Sequence, residues 1–188
     1  MASSALDAVR RPGVFGRDTA QPGVTLAERR GFYLMQVSAS PGGEAALAAA
    51  LRDKHGVSLD SRPNRASYGK DALALWLGPQ RWLIETPGAP ALSLPAEQAA
   101  IVELDHARCV LRLSGPNARD VLAKGCLLDL HPVAFTAGAC AQTNLFHSMA
   151  LIHAVDDTTF DVYLPRSFGQ SVWESLTDAA GEYGCRVL

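Results

Sequence analysis

The sequence predicts an α+β protein made of two fused ferredoxin-like (βαββαβ) halves. Strand-like and helix-like stretches follow one another as strand, helix, hairpin, helix, strand, and that order occurs twice, which is the split βαβ plan. Glycine and proline clusters punctuate both copies. No Gly/Ser-rich or Pro-rich spacer divides the two copies, so the halves are expected to share an interface near Asp105 rather than to hang on a tether.

Residues 1–28 hold Pro12, Gly13, Gly16, Pro22 and Gly23 with little apolar periodicity, and read as an N-terminal arm that frays or lies on a partner. The first ferredoxin-like half spans 29–105. Its strand at 31–40 ends at Pro41-Gly42-Gly43, and an Ala/Leu-rich helix at 44–55 is stopped by Gly56. Apolar runs at 72–77 and 81–86 flank Gly78-Pro79-Gln80 as a tight hairpin, with Trp76 and Trp82 on one face. A shorter helix is expected at 95–101.

The second half spans 106–188. A strand at 108–113 turns at Ser114-Gly115, and Pro116 opens a helix over 116–124, where a missing N–H is tolerated. Strands follow at 139–145, 148–155 and 159–164, the last two joined at Asp156-Asp157-Thr158. The longest helix, 166–183, sets Phe168, Val172, Trp173, Leu176 and Ala180 on one face, and 185–188 closes as a strand.

With 188 residues, 48% of them hydrophobic, the chain has enough length to bury a core without staples. A net charge of −2 lacks the basic footprint of a nucleic-acid binder. No apolar run approaches the roughly 20 residues of a membrane span, and the first 20 residues lack the apolar core of a secretory signal, so a cytoplasmic protein is expected. The four cysteines, Cys109, Cys126, Cys140 and Cys185, have no CxxC pairing and read as reduced, buried thiols with no metal role.

One stretch of the chain carries the residue types of a reaction centre. Asp129-Leu130-His131-Pro132 sets an Asp and a His beside a rigid bend, the outline of half a catalytic triad. Against it, GxSxG is absent and Ser114 lacks the flanking glycines of a nucleophile elbow. GxGxxG and the P-loop are absent as well. The other histidines fit structural roles: His55 favours the helix C-terminus, and His147 and His153 lie in a strand pair. After Asp129 no Asp, Glu, Lys or Arg occurs until Asp156. Charge depletion of this kind marks the core of an interface, whereas a site for an amine substrate wants a carboxylate.

Several blocks together resemble the γ subunit of heterotetrameric sarcosine oxidase. They include Trp76-Leu77-Gly78-Pro79-Gln80-Arg81-Trp82-Leu83, Leu113-Ser114-Gly115-Pro116 and Asp120-Val121-Leu122-Ala123-Lys124-Gly125-Cys126. Asp129-Leu130-His131-Pro132, Cys140-Ala141-Gln142-Thr143 and Pro165-Arg166-Ser167-Phe168 follow in the same order and at matching intervals. The resemblance implies an accessory member of an αβγδ complex that oxidatively demethylates sarcosine to glycine, with formaldehyde or methylene-tetrahydrofolate and hydrogen peroxide as further products. It implies FAD, FMN, NAD and tetrahydrofolate on the other subunits and none of them in this chain.

The γ family is in turn similar in fold to the folate-binding domain of the glycine-cleavage aminomethyltransferase, whose members carry an acidic residue in the hairpin after the glycine turn. Here 142–155 has no Asp or Glu, so the expectation is a fold kept for assembly, with a stand-alone folate-binding aminomethyltransferase-like protein as the alternative. No catalytic, cofactor-binding or metal residue is assigned. Asp129, His131 and Gln142, the polar members of the specific block, are expected to shape the partner-facing loop.

Overall fold

The computed structural model describes residues 4–88, 92 and 94–188, which fold as two compact units. One unit is residues 31–106; the other combines the stretch up to residue 30 with 107–188. In chain order the elements are β1 (Gly13–Phe15), β2 (Val24–Arg29), β3 (Tyr33–Ala39), α1 (Glu44–His55), β4 (Ala66–Tyr68), β5 (Leu73–Gly78), β6 (Arg81–Thr86) and β7 (Ala99–Glu103). They continue as β8 (Arg108–Ser114), α2 (Ala118–Ala123), β9 (Cys140–Leu145), β10 (Ser148–Ala154), β11 (Thr159–Pro165), α3 (Gly169–Ala180) and β12 (Cys185–Val187).

In the 31–106 unit, five strands in the order β4-β5-β6-β3-β7 carry α1 on one face. Strand alternation sends Met35, Val37 and Ala39 to that face, where they meet Leu47 and Leu51 of the helix together with Ala74 and Ile84. Gly56 ends α1 in the left-handed conformation at φ 67°, its N–H returning to the Arg52 carbonyl and that of Val57 to the Leu51 carbonyl. The β5–β6 hairpin turns at Pro79-Gln80, with Gln80 at φ 60° as the third position of a type II turn requires. Trp76 and Trp82 sit directly opposite one another there.

The helix expected at 95–101 is not present. Pro95 accepts the N–H groups of Gln98 and Ala99 in a single turn, and Ala99–Glu103 then pairs with β3 as a strand. The five residues Ala99–Glu103, with Ile101 and Val102 among them, gain more from ladder bonds beside β3 than from an isolated turn and a half of helix.

The other unit is a seven-stranded sheet in the order β1-β12-β2-β8-β11-β10-β9. Here the N-terminal stretch departs from the expected arm. Val24 and Leu26 are buried while Thr25 and Ala27, alternating with them, are only partly so, and β2 runs in the interior of the sheet, parallel to β12 and antiparallel to β8. Leu6 is fully buried. The unit break therefore falls after Arg30 rather than after residue 28, and the fold of 107–188 is completed by the start of the chain. The proline and glycine density of 1–23 hides a six-residue alternation behind it.

Helices α2 and α3 cover one face of this sheet. Leu111 and Leu113 of β8, Phe160, Val162 and Leu164 of β11, and Ile152 of β10 pack there with Val121, Val172, Trp173 and Leu176. Short 3-10 turns flank α3 at Arg166–Phe168 and Gly181–Tyr183, completing the long helical stretch expected there. Phe168 itself is 46% exposed, because it precedes the α-helical part and falls outside its apolar stripe.

The opposite sheet face carries a row in register across five strands, Ala27, Arg112, Asp161, His153 and Cys140, with its polar side chains at the centre. Asp161 is 1% exposed and takes a two-pronged grip from Arg112, Nε to Oδ1 at 2.7 Å and Nη2 to Oδ2 at 2.8 Å. Arg29 of β2 adds Nη1 to Oδ2 at 3.0 Å. The hydrogen bonds to Asp161 hold the Arg112 guanidinium above its ordinary pKa.

The cysteines form no disulfide, and Cys109, Cys140 and Cys185 are buried. Burial pushes the Cys109 thiol up to about 11, and also raises that of Cys185.

Two outcomes follow from this packing. Asp161→Ala strands two guanidinium groups against a desolvated site and is expected to cost about 3–5 kcal/mol in urea unfolding. Under native conditions a thiol reagent at pH 8 is expected to label the half-buried Cys126, with the other three reacting after unfolding, as mass spectrometry of the labelled peptides reads directly.

Candidate interaction surface

The segment from Lys124 to Ala139 is pinned at its start, its middle and its end. Lys124 caps α2, and its Nζ reaches the Ala179 carbonyl and Glu182 Oε2, each at 2.7 Å, while lying 4.7 Å from the centre of the Tyr183 ring. Gly125 comes next because the Phe146 ring occupies the space of a side chain, its Cε1 2.5 Å from where a Cβ would stand. The Gly125 carbonyl accepts the Phe146 N–H at 2.9 Å. Cys126 then bridges Leu145 antiparallel, with its Sγ 3.7 Å from Thr143 Oγ1 and accepting the Leu128 N–H at 3.3 Å.

The β9–β10 hairpin is closed by Phe146 and His147, at φ 45° and 66°. Two successive positive φ values are the signature of a type I′ turn, here built without the usual Asn or Gly. A phenylalanine in this region is strained, and the ring's seat over Gly125 is what holds it.

Asp129 and His131 are brought together, but not as a catalytic pair. Asp129 Oδ1 accepts the backbone N–H of His131 at 2.9 Å, and His131 Nδ1 accepts the N–H of Val133 at 3.3 Å. The His131 carbonyl takes the N–H groups of Ala134 and Phe135, both at 2.9 Å. The carboxylate and the imidazole thus satisfy the backbone of their own turn. Leu130 and Phe135 anchor that turn in the core, and Val133 between them is 82% exposed.

Gln142 lies apart from this turn, on the outermost strand of the seven-stranded sheet. Ala141 and Leu145 of β9 belong to the helix-covered core, so the alternation of the strand carries Gln142 and Asn144 to the other face. There Asn144 pairs with Met149, which is 63% exposed. The Cys126–Leu145 bridge brings the loop alongside the end of β9, and Leu127, next in the chain, is 90% exposed. The uncharged interval is therefore divided. Its buried part fills the unit, and Gln142, Asn144, His147 and Met149 are left on the surface with no Asp, Glu, Lys or Arg among them.

Sequence reasoning missed Leu127, Met149, Arg119 and Lys124. No local pattern marks Leu127 or Met149, since adjacent apolar residues elsewhere in the unit, such as Val121 and Leu122, are both buried. Arg119 acts through contacts remote in sequence, which no local pattern announces. Among the described residues no group of three or more His, Cys, Asp and Glu side chains is placed to hold a metal ion. No helix among them is long and apolar enough to cross a membrane.

Comparison with known proteins identifies this arrangement. The sarcosine oxidase, gamma subunit family matches residues 39–182. The sarcosine oxidase subunit gamma of Corynebacterium sp. (strain U-96) is 32% identical over 169 residues, covering 85% of this chain and 80% of that one. The corresponding subunit of Arthrobacter sp. is 37% identical over 141 residues, covering 70% and 67%. Among solved structures, a chain of heterotetrameric sarcosine oxidase from Corynebacterium sp. U-96, in complex with pyrrole 2-carboxylate, superposes with a TM-score of 0.79 at 32% identity over 87% of each chain. The glycine cleavage system aminomethyltransferase T of Bartonella henselae shares the fold, with a TM-score of 0.59 at 17% identity, over 83% of this chain and 46% of the enzyme. The α+β, aminomethyltransferase-domain-like fold expected from the sequence is thus the one found, and the chain belongs to the sarcosine oxidase gamma subunit family.

Proposed function

We propose that the chain is the accessory γ subunit of a heterotetrameric (αβγδ) sarcosine oxidase, supporting oxidative demethylation of sarcosine to glycine in the cytoplasm. The α, β and δ subunits carry the FAD, FMN, NAD and tetrahydrofolate, and the products are glycine, hydrogen peroxide and formaldehyde or methylene-tetrahydrofolate. This chain contributes assembly rather than chemistry. The observation that carries the reading is the exposed uncharged strip Leu127, Asn144 and Met149, beside the self-satisfied turn of Asp129 and His131.

An exposed leucine at 90% and methionine at 63%, the latter within the interval 130–155 that has no Asp, Glu, Lys or Arg, are costly to leave in water and suit the desolvated centre of a subunit contact. Asp129 and His131 support that contact by fixing the turn, and Gln142 borders the strip on the same sheet face as Asn144. Another subunit of the complex is the occupant this strip fits. The likeness to the aminomethyltransferase carries the fold alone, and a stand-alone folate-binding enzyme gains nothing from an uncharged hairpin.

Two experiments test the proposal. The purified chain is expected to be colourless and inactive on sarcosine, and to co-purify with flavin-bearing subunits when expressed with them; colour and turnover from the single chain would refute it. Leu127→Asp combined with Met149→Asp is expected to lower recovery of the chain in the complex by about thirtyfold or more, as for loss of an interface hot spot. Asp129→Ala, which removes one turn hydrogen bond, is expected to lower it by about tenfold or less. Undiminished assembly of the double variant would place the contact elsewhere.

A further inference from the structure

Arg119 is spent almost wholly on parts of the chain far from it in sequence. Its Nη1 donates to the Leu130 carbonyl at 2.6 Å and to the Phe135 carbonyl at 3.0 Å, and its Nε donates to the Asp157 carbonyl at 3.1 Å. The guanidinium carbon lies 4.8 Å from the centre of the Phe160 ring. Leu130 and Phe135 are the two buried ends of the turn that exposes His131 and Val133, and Asp157 belongs to the turn between β10 and β11. One side chain on α2 thus holds together a helix, the surface turn and the next hairpin.

The stretch 130–155 has no cation of its own, so the grip on its carbonyls comes from outside it. An apolar side chain of similar length keeps a contact with the Phe160 ring and removes the donors to the three carbonyls, so the turn loosens.

We infer that Arg119 is the positioning residue of the docking surface, holding the 130–135 turn in the shape that a partner subunit receives. The inference rests on the reading that this surface docks a subunit. Lysine cannot substitute, because a single ammonium on a flexible stem does not bridge two carbonyls of one turn and a third of another.

The test co-expresses the full chain, as wild type, Arg119→Met, Arg119→Lys and Leu127→Asp, with the other subunits. It reads thermal unfolding of the chain, amide hydrogen exchange over 131–136, and recovery in the complex. Arg119→Met is expected to fold, to exchange faster in the turn by about tenfold or more, and to lose recovery by about tenfold, as for loss of charge-assisted hydrogen bonds. Arg119→Lys is expected to follow it, and it decides the matter if the methionine variant fails to fold. Unchanged exchange, or a loosened turn with full recovery, overturns the role of Arg119. If Leu127→Asp abolishes recovery in that case, the docking surface stands without it; if Leu127→Asp also assembles normally, the surface reading itself has failed.

Discussion

A carboxylate with 1% exposure in the middle of a β-sheet, Asp161, constrains the unit around it. Taking an ionised carboxylate out of water costs several kcal/mol, and only close, well-aligned cations offset that. Arg112 and Arg29 supply them from two other strands, β8 and β2. Sliding any of the three by one residue would turn its charged group to the apolar face under α3, so the cluster fixes register as well as neutralising charge. With β11 fixed, β10 and β9 follow by pairing, and the hairpin turn at Phe146-His147 lands where Gly125 leaves room for its ring. The start of the chain is drawn in by the same cluster, because Arg29 is its third member.

Away from that cluster, the polar groups of the 125–139 loop serve geometry. An aspartate, a histidine and an arginine that together invite a catalytic reading are each bound to backbone groups at hydrogen-bond distance. Beside the exposed Asp129, what the loop and the β9–β10 hairpin leave to solvent includes Leu127, Val133, Asn144 and Met149. Polar side chains bound to the backbone of their own loop, with Leu127, Val133 and Met149 exposed beside them, are what the proposed docking reading draws on.

Much of this was legible in the sequence, and for identifiable reasons. Glu44–His55 was bounded by a Gly-rich turn and a glycine stop, and the strands of the second half by alternation and turn residues, so these elements lie within a residue or two of their expected places. Ala99–Glu103 defeated a helix reading because its strand character depends on a neighbour, β3, that local pattern does not reveal. Val24–Arg29 was concealed by the prolines and glycines ahead of it, and its place inside the sheet depends on β12, more than 150 residues later. At the surface, the polar residues Asp129 and His131 were found by motif. The apolar contacts Leu127 and Met149 were not, since exposure is a property of the folded pairing and not of the residue.

The central claim is that this chain works by docking through its uncharged hairpin face. Hydrogen–deuterium exchange, comparing the free chain with the chain in its complex, addresses that claim most directly. The account predicts new protection concentrated at 126–135 and 142–149, with the interior strands β8 and β11 unchanged. Protection confined to other segments, with 126–135 and 142–149 exchanging as fast as in the free chain, would contradict it.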